Sequence, residues 1–130
     1  MHDNNTIGQR RTLYVTDMDG TLLDLYSRVS PESASIIHRL SREGALITVA
    51  TARTPATVVP LMRDCHTSVP YVTMTGAALW NPVEEKYGEI ALMPDDTAAR
   101  VREVIESFGL HPFIYTITPD NRSVSYTHLR

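Results

Sequence analysis

Residues 14–24, YVTDMDGTLLD, run from an apolar stretch into Asp17 and Asp19, one residue apart, and on into Gly20 and Thr21. Two carboxylates that close repel each other, so the pairing calls for a function that compensates its cost. A cation supplies the compensation, and hard oxygen donors favour Mg²⁺. Such an ion suits phosphate, whose charge it neutralises, while Thr51 and the backbone N–H groups after Asp19 hold the remaining phosphoryl oxygens. One acid can then attack phosphorus to form an acyl phosphate as the other protonates the leaving oxygen.

Positioning these groups requires a rigid layer. TLYVT (12–16) is a short β-rich apolar run and reads as a buried strand. Ser30 and Pro31 then supply an N-cap and a proline at the first helical position, with Glu32 well placed against the helix dipole. Ala34, Ile37 and Leu40 form an apolar stripe, and Gly44 is a natural stop. ALITVA (45–50) is a continuous apolar run of the kind covered on both faces. Thr54 and Pro55 repeat the capped start of a helix that reaches Cys65, kinked or shortened by Pro60. YVTM (71–74) gives a third strand. Strand and helix alternation with short connections predicts an α/β fold: a Rossmann-like parallel sheet with right-handed crossovers.

Beyond residue 75 the pattern changes. Two extended runs flank NPVEEKYG as a hairpin, and Pro94, Asp95 and Asp96 open a third helix. Its Val101, Val104, Ile105 and Phe108 share one face, read as core, before Gly109 stops it. FIYTIT and SVSYT flank PDNR as a second hairpin. We expect residues 1–92 to be the first part of a catalytic core and residues 93–130 the start of an α+β cap subdomain. An αββ end with so few strands leaves apolar faces unpartnered, so the sequence is expected to be an incomplete piece of a longer protein.

In an open parallel sheet, ligands bind beyond the carboxyl ends of the strands. The residues there are Asp17 and Asp19 after the first strand, Thr51 and Arg53 after the second, and Thr75 and Gly76 after the third. Thr51 is either a hydrogen-bond donor to phosphoryl oxygens or a strand-end hydroxyl satisfied by the backbone. Arg53 is either a substrate contact or half of a surface ion pair, and Thr75 with Gly76 shape a turn at the edge of the substrate space.

Composition narrows the classes. The 130 residues are 42% hydrophobic and 21% charged, ordinary for a globular domain, and the net charge of −3 with scattered Lys and Arg offers no footprint for nucleic acid or an anionic membrane. No apolar run approaches the roughly 20 residues that span a bilayer, and MHDNNTIGQRR lacks the apolar stretch of a secretory signal. The single cysteine, Cys65, forms no intrachain disulfide, so the cytoplasm is the expected location. The five histidines, His2, His38, His66, His111 and His128, show no paired metal-ligand spacing.

DMDGTLL resembles the signature that opens haloacid dehalogenase superfamily phosphatases, and VATAR with VTMTGAALWNP is similar to the second motif and post-strand segment of the Cof-like branch. The resemblance implies a phosphomonoester hydrolase acting on a small phosphorylated metabolite such as a sugar phosphate. It implies that Asp17 is the nucleophile and a side-chain ligand of Mg²⁺, and that Asp19 gives a backbone carbonyl to the metal and acts as general acid and base. It makes Thr51 the phosphoryl-binding hydroxyl and Gly20 the flexible member of the phosphate loop, with Thr21 structural. The branch commonly reads TGR and NGA where this chain has TAR and TGA, so Ala52 stiffens the second loop and Thr75 replaces an amide. The branch also uses a lysine and a further acidic motif after the cap, so this piece by itself is expected to have little or no activity.

Other readings fit less well. A phosphotransferase or mutase shares the aspartyl chemistry, and a non-catalytic remnant would keep the fold. A receiver domain needs a phosphoacceptor aspartate after the third strand, where this chain has MTGA, and a dinucleotide-binding module needs G-x-G-x-x-G after the first.

Overall fold

The computed structural model describes residues 11–118 and the strand Ser123–Tyr126. The expected PDNR turn, the polar N-terminal stretch through residue 10, with His2, and the final residues, with His128, lie outside the described residues.

The first half is a parallel βαβαβ unit. Strand β1 (Leu13–Thr16) pairs in parallel with β2 (Leu46–Val49), Leu13 opposite Leu46 and Thr16 opposite Val49. Ala50 forms a parallel bridge to Val72 in β3 (Tyr71–Thr73), so the third strand continues the layer on the far side of β2. Helix α1 (Pro31–Arg42) starts as its residues dictate: the Ser30 hydroxyl accepts the Ser33 N–H at 3.1 Å. It ends in a Schellman motif, Gly44 N–H to the Ser41 carbonyl and Ala45 N–H to the Leu40 carbonyl, with Gly44 at φ +95°. Helix α2 (Pro55–Met62) runs into a single tight turn at Arg63–Cys65, so Pro60 is accommodated and the segment reaches Cys65 as expected. Thr54 precedes it but makes no side-chain cap; its carbonyl instead receives the Thr57 and Val58 N–H groups.

The core lies between these helices and β2. Met18, Val49, Val58 and Cys65 are wholly buried there, with Ala34 and Ile37 from the expected stripe of α1. The expectation of a buried β1 fails: Leu13, Tyr14 and Val15 are 50%, 58% and 52% exposed. The cause is placement, because among the described residues β1 pairs only with β2, and α1 packs chiefly on the Arg63–Cys65 turn and β2.

Strands β4 (Ala78–Asn81) and β5 (Lys86–Ile90) form the expected hairpin, and β4 also pairs antiparallel with β3, a continuity absent from the sequence reading. Trp80 packs edge-on against Tyr87 across that hairpin. Helix α3 (Asp95–Ser107) ends as α1 does, with Gly109 at φ +71° donating to the Glu106 carbonyl and Leu110 to that of Ile105. Strands β6 (Ile114–Ile117) and β7 (Ser123–Tyr126) pair antiparallel. The α3 stripe is not core: Val101, Val104 and Phe108 are 42%, 58% and 77% exposed, because β6 flanks the helix without closing over its apolar side.

Candidate active site

Asp17, just after β1, caps a wide turn, Met18–Leu22, that carries Asp19. Its closing bonds reach five residues back, Leu22 N–H to the Asp17 carbonyl at 3.3 Å and Leu23 N–H to that of Met18 at 2.9 Å. Gly20 provides the left-handed step, φ +76°, that lets the chain turn so soon after the acids. Met18, between them, is fully buried, and this anchors both acids at the surface of the crevice. Asp17 Oδ1 accepts the Met18 N–H at 2.7 Å, which fixes the carboxylate against its own turn.

Arg53 meets Asp19 in a two-pronged pair: Nε donates to Oδ2 at 2.8 Å and Nη2 to Oδ1 at 2.6 Å. Of the two weighed readings of Arg53, the ion-pair one is the contact present. The guanidinium hydrogen bonds hold the Asp19 carboxyl below its ordinary range, against an opposing desolvation and with a smaller contribution from the guanidinium charge. Asp17 forms no ion pair among the described residues.

Thr51 is buried at the end of β2, and its hydroxyl accepts the Arg53 N–H at 3.2 Å. An accepting hydroxyl keeps its own hydrogen, so Thr51 can still donate to an anionic oxygen. Its backbone ties two loops together: Thr51 N–H donates to the Val72 carbonyl at 3.0 Å, and Thr75 N–H donates to the Thr51 carbonyl at 3.1 Å. Met74 N–H adds a bond to the Arg53 carbonyl at 2.9 Å. Met74, Thr75 and Gly76 are consecutive left-handed residues, φ 53°, 58° and 87°. The structure thus joins Asp19 to Arg53, and Arg53 to Thr51 and the Thr75 loop, while Gly76 serves that loop's turn.

One feature of this end of the sheet escaped the sequence reading. Residues 23–29 form a small hairpin with Leu23 bridged to Val29. The available signal was Asp24, four residues before Arg28, a spacing at which an Asp side chain can cap a turn.

A parallel α/β layer thus carries an acid pair, an arginine and a hydroxyl at the carboxyl ends of its strands, where ligands bind in open sheets of this kind. The sequence profile of haloacid dehalogenase-like hydrolases matches residues 14–128, and the chain belongs to that family. It is similar to the 5-amino-6-(5-phospho-D-ribitylamino)uracil phosphatase YitU of Bacillus subtilis (strain 168), 24% identical over 109 residues, covering 83% of this chain and 40% of that protein. In fold it is similar to a haloacid dehalogenase-like hydrolase from Bacteroides thetaiotaomicron (TM-score 0.71, 18% identity, 93% of this chain and 46% of that one). The subclass IIB sugar phosphatase BT4131 gives a TM-score of 0.60 at 24% identity, over 81% of this chain and 41% of that one. The chain therefore spans less than half the length of these relatives.

Among the described residues no three His, Cys, Asp or Glu side chains converge as a metal cage. What is present fits part of a hard-oxygen coordination sphere: the exposed Asp17 carboxylate beside the turn that carries the Asp19 main chain. No helix among the described residues is long and apolar enough to cross a membrane.

Proposed function

We propose that this chain is the nucleophile-bearing part of a Mg²⁺-dependent phosphomonoester hydrolase that works through an aspartyl phosphate on a small phosphorylated metabolite. The observation that carries the reading is the unequal state of the two acids: Asp17 has no cationic partner among the described residues, whereas Asp19 is clasped by Arg53. Two carboxylates in different environments can divide nucleophile from proton carrier. Membership of the hydrolase family and the likeness to YitU support the same assignment.

In this mechanism an Asp17 oxygen attacks phosphorus and the bond from phosphorus to the leaving alcohol oxygen breaks, leaving the phosphoryl group on Asp17 as an acyl phosphate. Asp19 gives the alcohol its proton and afterwards takes one from the water that hydrolyses the intermediate. To carry a proton, Asp19 must be released from Arg53, because the fork favours its ionised form. Thr51 donates to a phosphoryl oxygen, and the turn that Gly20 permits brings backbone N–H groups to the others. Mg²⁺, held by the Asp17 carboxylate and the Asp19 main-chain carbonyl, would supply neutralisation of the phosphate charge.

The test is Asp17→Asn in the intact protein that carries this segment, assayed with Mg²⁺ on sugar phosphates first. Turnover is expected to fall by at least about 1,000-fold, the scale seen when a nucleophile is removed, with the circular dichroism unchanged. Retained turnover removes Asp17 from the nucleophile role.

A further inference from the structure

The fold brings together two histidines that the sequence holds apart. His38 lies on α1 and His66 follows the Arg63–Cys65 turn, with β2 and α2 between them in the chain. Their ring centroids are nevertheless 4.5 Å apart, with the planes tilted by 49°. His66 takes a left-handed conformation, φ 48° and ψ 44°, a region that histidine enters more readily than most residues. It is held there from both sides. Cys65 before it is wholly buried, and Thr67 after it is buried with its hydroxyl 3.0 Å from that of Tyr71. The chain thus steps inward, outward and inward again, and the outward step sets the exposed His66 ring against the half-buried His38.

Neither imidazole forms a hydrogen bond or an ion pair among the described residues, so the ring nitrogens keep their donor capacity. With metal–nitrogen bonds of about 2.0–2.1 Å, an ion sits roughly 3.2 Å from the centre of each imidazole that binds it, and two bound rings have centres roughly 4.5–5.2 Å apart for angles from square to tetrahedral. The observed separation falls at the near end of that range. Arg39 and Arg42 stand on the same helix, with Glu43 paired to Arg39 at 3.4 Å, so net charge does not favour a cation here. Only an ion that bonds strongly to nitrogen is suited, which selects Zn²⁺, Ni²⁺ or Cu²⁺ and excludes Mg²⁺. Crossover helices lead from the carboxyl end of one strand to the amino end of the next. His38, in the second half of α1, and His66, past the end of α2, therefore lie toward the amino ends, away from the acidic turn.

We propose that His38 and His66 are the protein ligands of a site for a transition-metal dication of the Zn²⁺ class, with water completing the coordination, and that the ion ties α1 to the Arg63–Cys65 turn. The test titrates Zn²⁺ into the intact protein that carries this segment, by calorimetry with Mg²⁺ in excess. Wild type is expected to bind Zn²⁺ despite the Mg²⁺, with a higher urea midpoint, because the two ligands meet only in the folded chain. His38→Gln and His66→Asn, the latter keeping a residue that tolerates the left-handed region, should each weaken binding by at least about ten-fold. Asp17→Asn should leave Zn²⁺ binding unchanged. In wild type, and so without any variant having to fold, substoichiometric Co²⁺ should broaden two histidine ring signals together in the proton spectrum, ahead of the rest. Absence of Zn²⁺ binding, undiminished binding in either histidine variant, loss of binding in Asp17→Asn, or Co²⁺ broadening of fewer than two rings overturns the site.

Discussion

Arg53 closes a bidentate fork onto Asp19 across 34 positions of sequence, joining the loop after β2 to the turn after β1. Removing the fork as Arg53→Ala is expected to raise the Asp19 carboxyl toward its ordinary range, since the Arg53 hydrogen bonds are the largest cause of its depression. Because that pKa is lowered in the folded chain, the stability it contributes is present above the unfolded carboxylate range and is lost as pH falls through the folded value. Wild type and variant should therefore converge in acid. Asp19 is exposed, so the sharper readout is a carbon-13 titration of its carboxyl without divalent cations. An identical curve in Arg53→Ala would show that the fork is not the cause. Arg53→Lys keeps the charge but not the fork and should fall between the two.

Met18 couples the crevice to the core, because its fully buried side chain is flanked by two exposed acids. Met18→Ala should cost about 2–4 kcal/mol in a urea titration, as other buried large-to-small changes do. Asp17→Asn, which keeps an oxygen able to accept the Met18 N–H, should stay within about 0.5 kcal/mol. Equal, small effects for both would mean that the turn is held by its backbone bonds alone.

What the sequence made legible was whatever is encoded locally. Ser30 followed by Pro31 begins α1, and Gly44 and Gly109 end two helices by the same motif, because capping depends on a handful of neighbouring residues. The acids, Thr51 and Arg53 were placed at the carboxyl ends because strand and helix alternation fixes which ends those are. Burial was less legible, since it depends on what lies opposite. Val104 has the spacing of a core residue and Val15 lies in a strand-like run, yet both are more than half exposed. That Arg53 could form an ion pair was legible, but its partner Asp19 and the Asp24 turn were not, because each depends on where a side chain folds back, which periodicity does not encode.

Cys65 is wholly buried, and the loss of solvation pushes its thiol up from 9.0 to about 11, with nearby Asp64 adding to the rise. Native protein should resist alkylation at pH 8 and react only as fast as it opens. The raised value also sets a pH window: this thiol favours the folded chain below about pH 9 and withdraws that preference as pH climbs toward about 11. Thiol labelling followed by mass spectrometry, with and without urea, measures the first effect, and denaturant midpoints across that window measure the second. Rapid labelling of the folded chain would contradict the buried placement.

Thr75 occupies a left-handed conformation, φ 58° and ψ 35°, which is unfavourable for a β-branched residue by roughly 1–2 kcal/mol. It is held there from both sides: its N–H bonds the Thr51 carbonyl, and Met74 beside it bonds the Arg53 carbonyl. Its side chain is exposed, so replacing it removes no core packing. Asparagine tolerates the left-handed region, and Thr75→Asn should raise stability by about 0.5–1 kcal/mol, seen as a higher urea midpoint at unchanged slope. Thr75→Val, equally branched, should give no such gain. If the two variants behave alike, the backbone cost at this position is not set by the side chain, and the left-handed run after β3 is maintained by its ties to Thr51 and Arg53 alone.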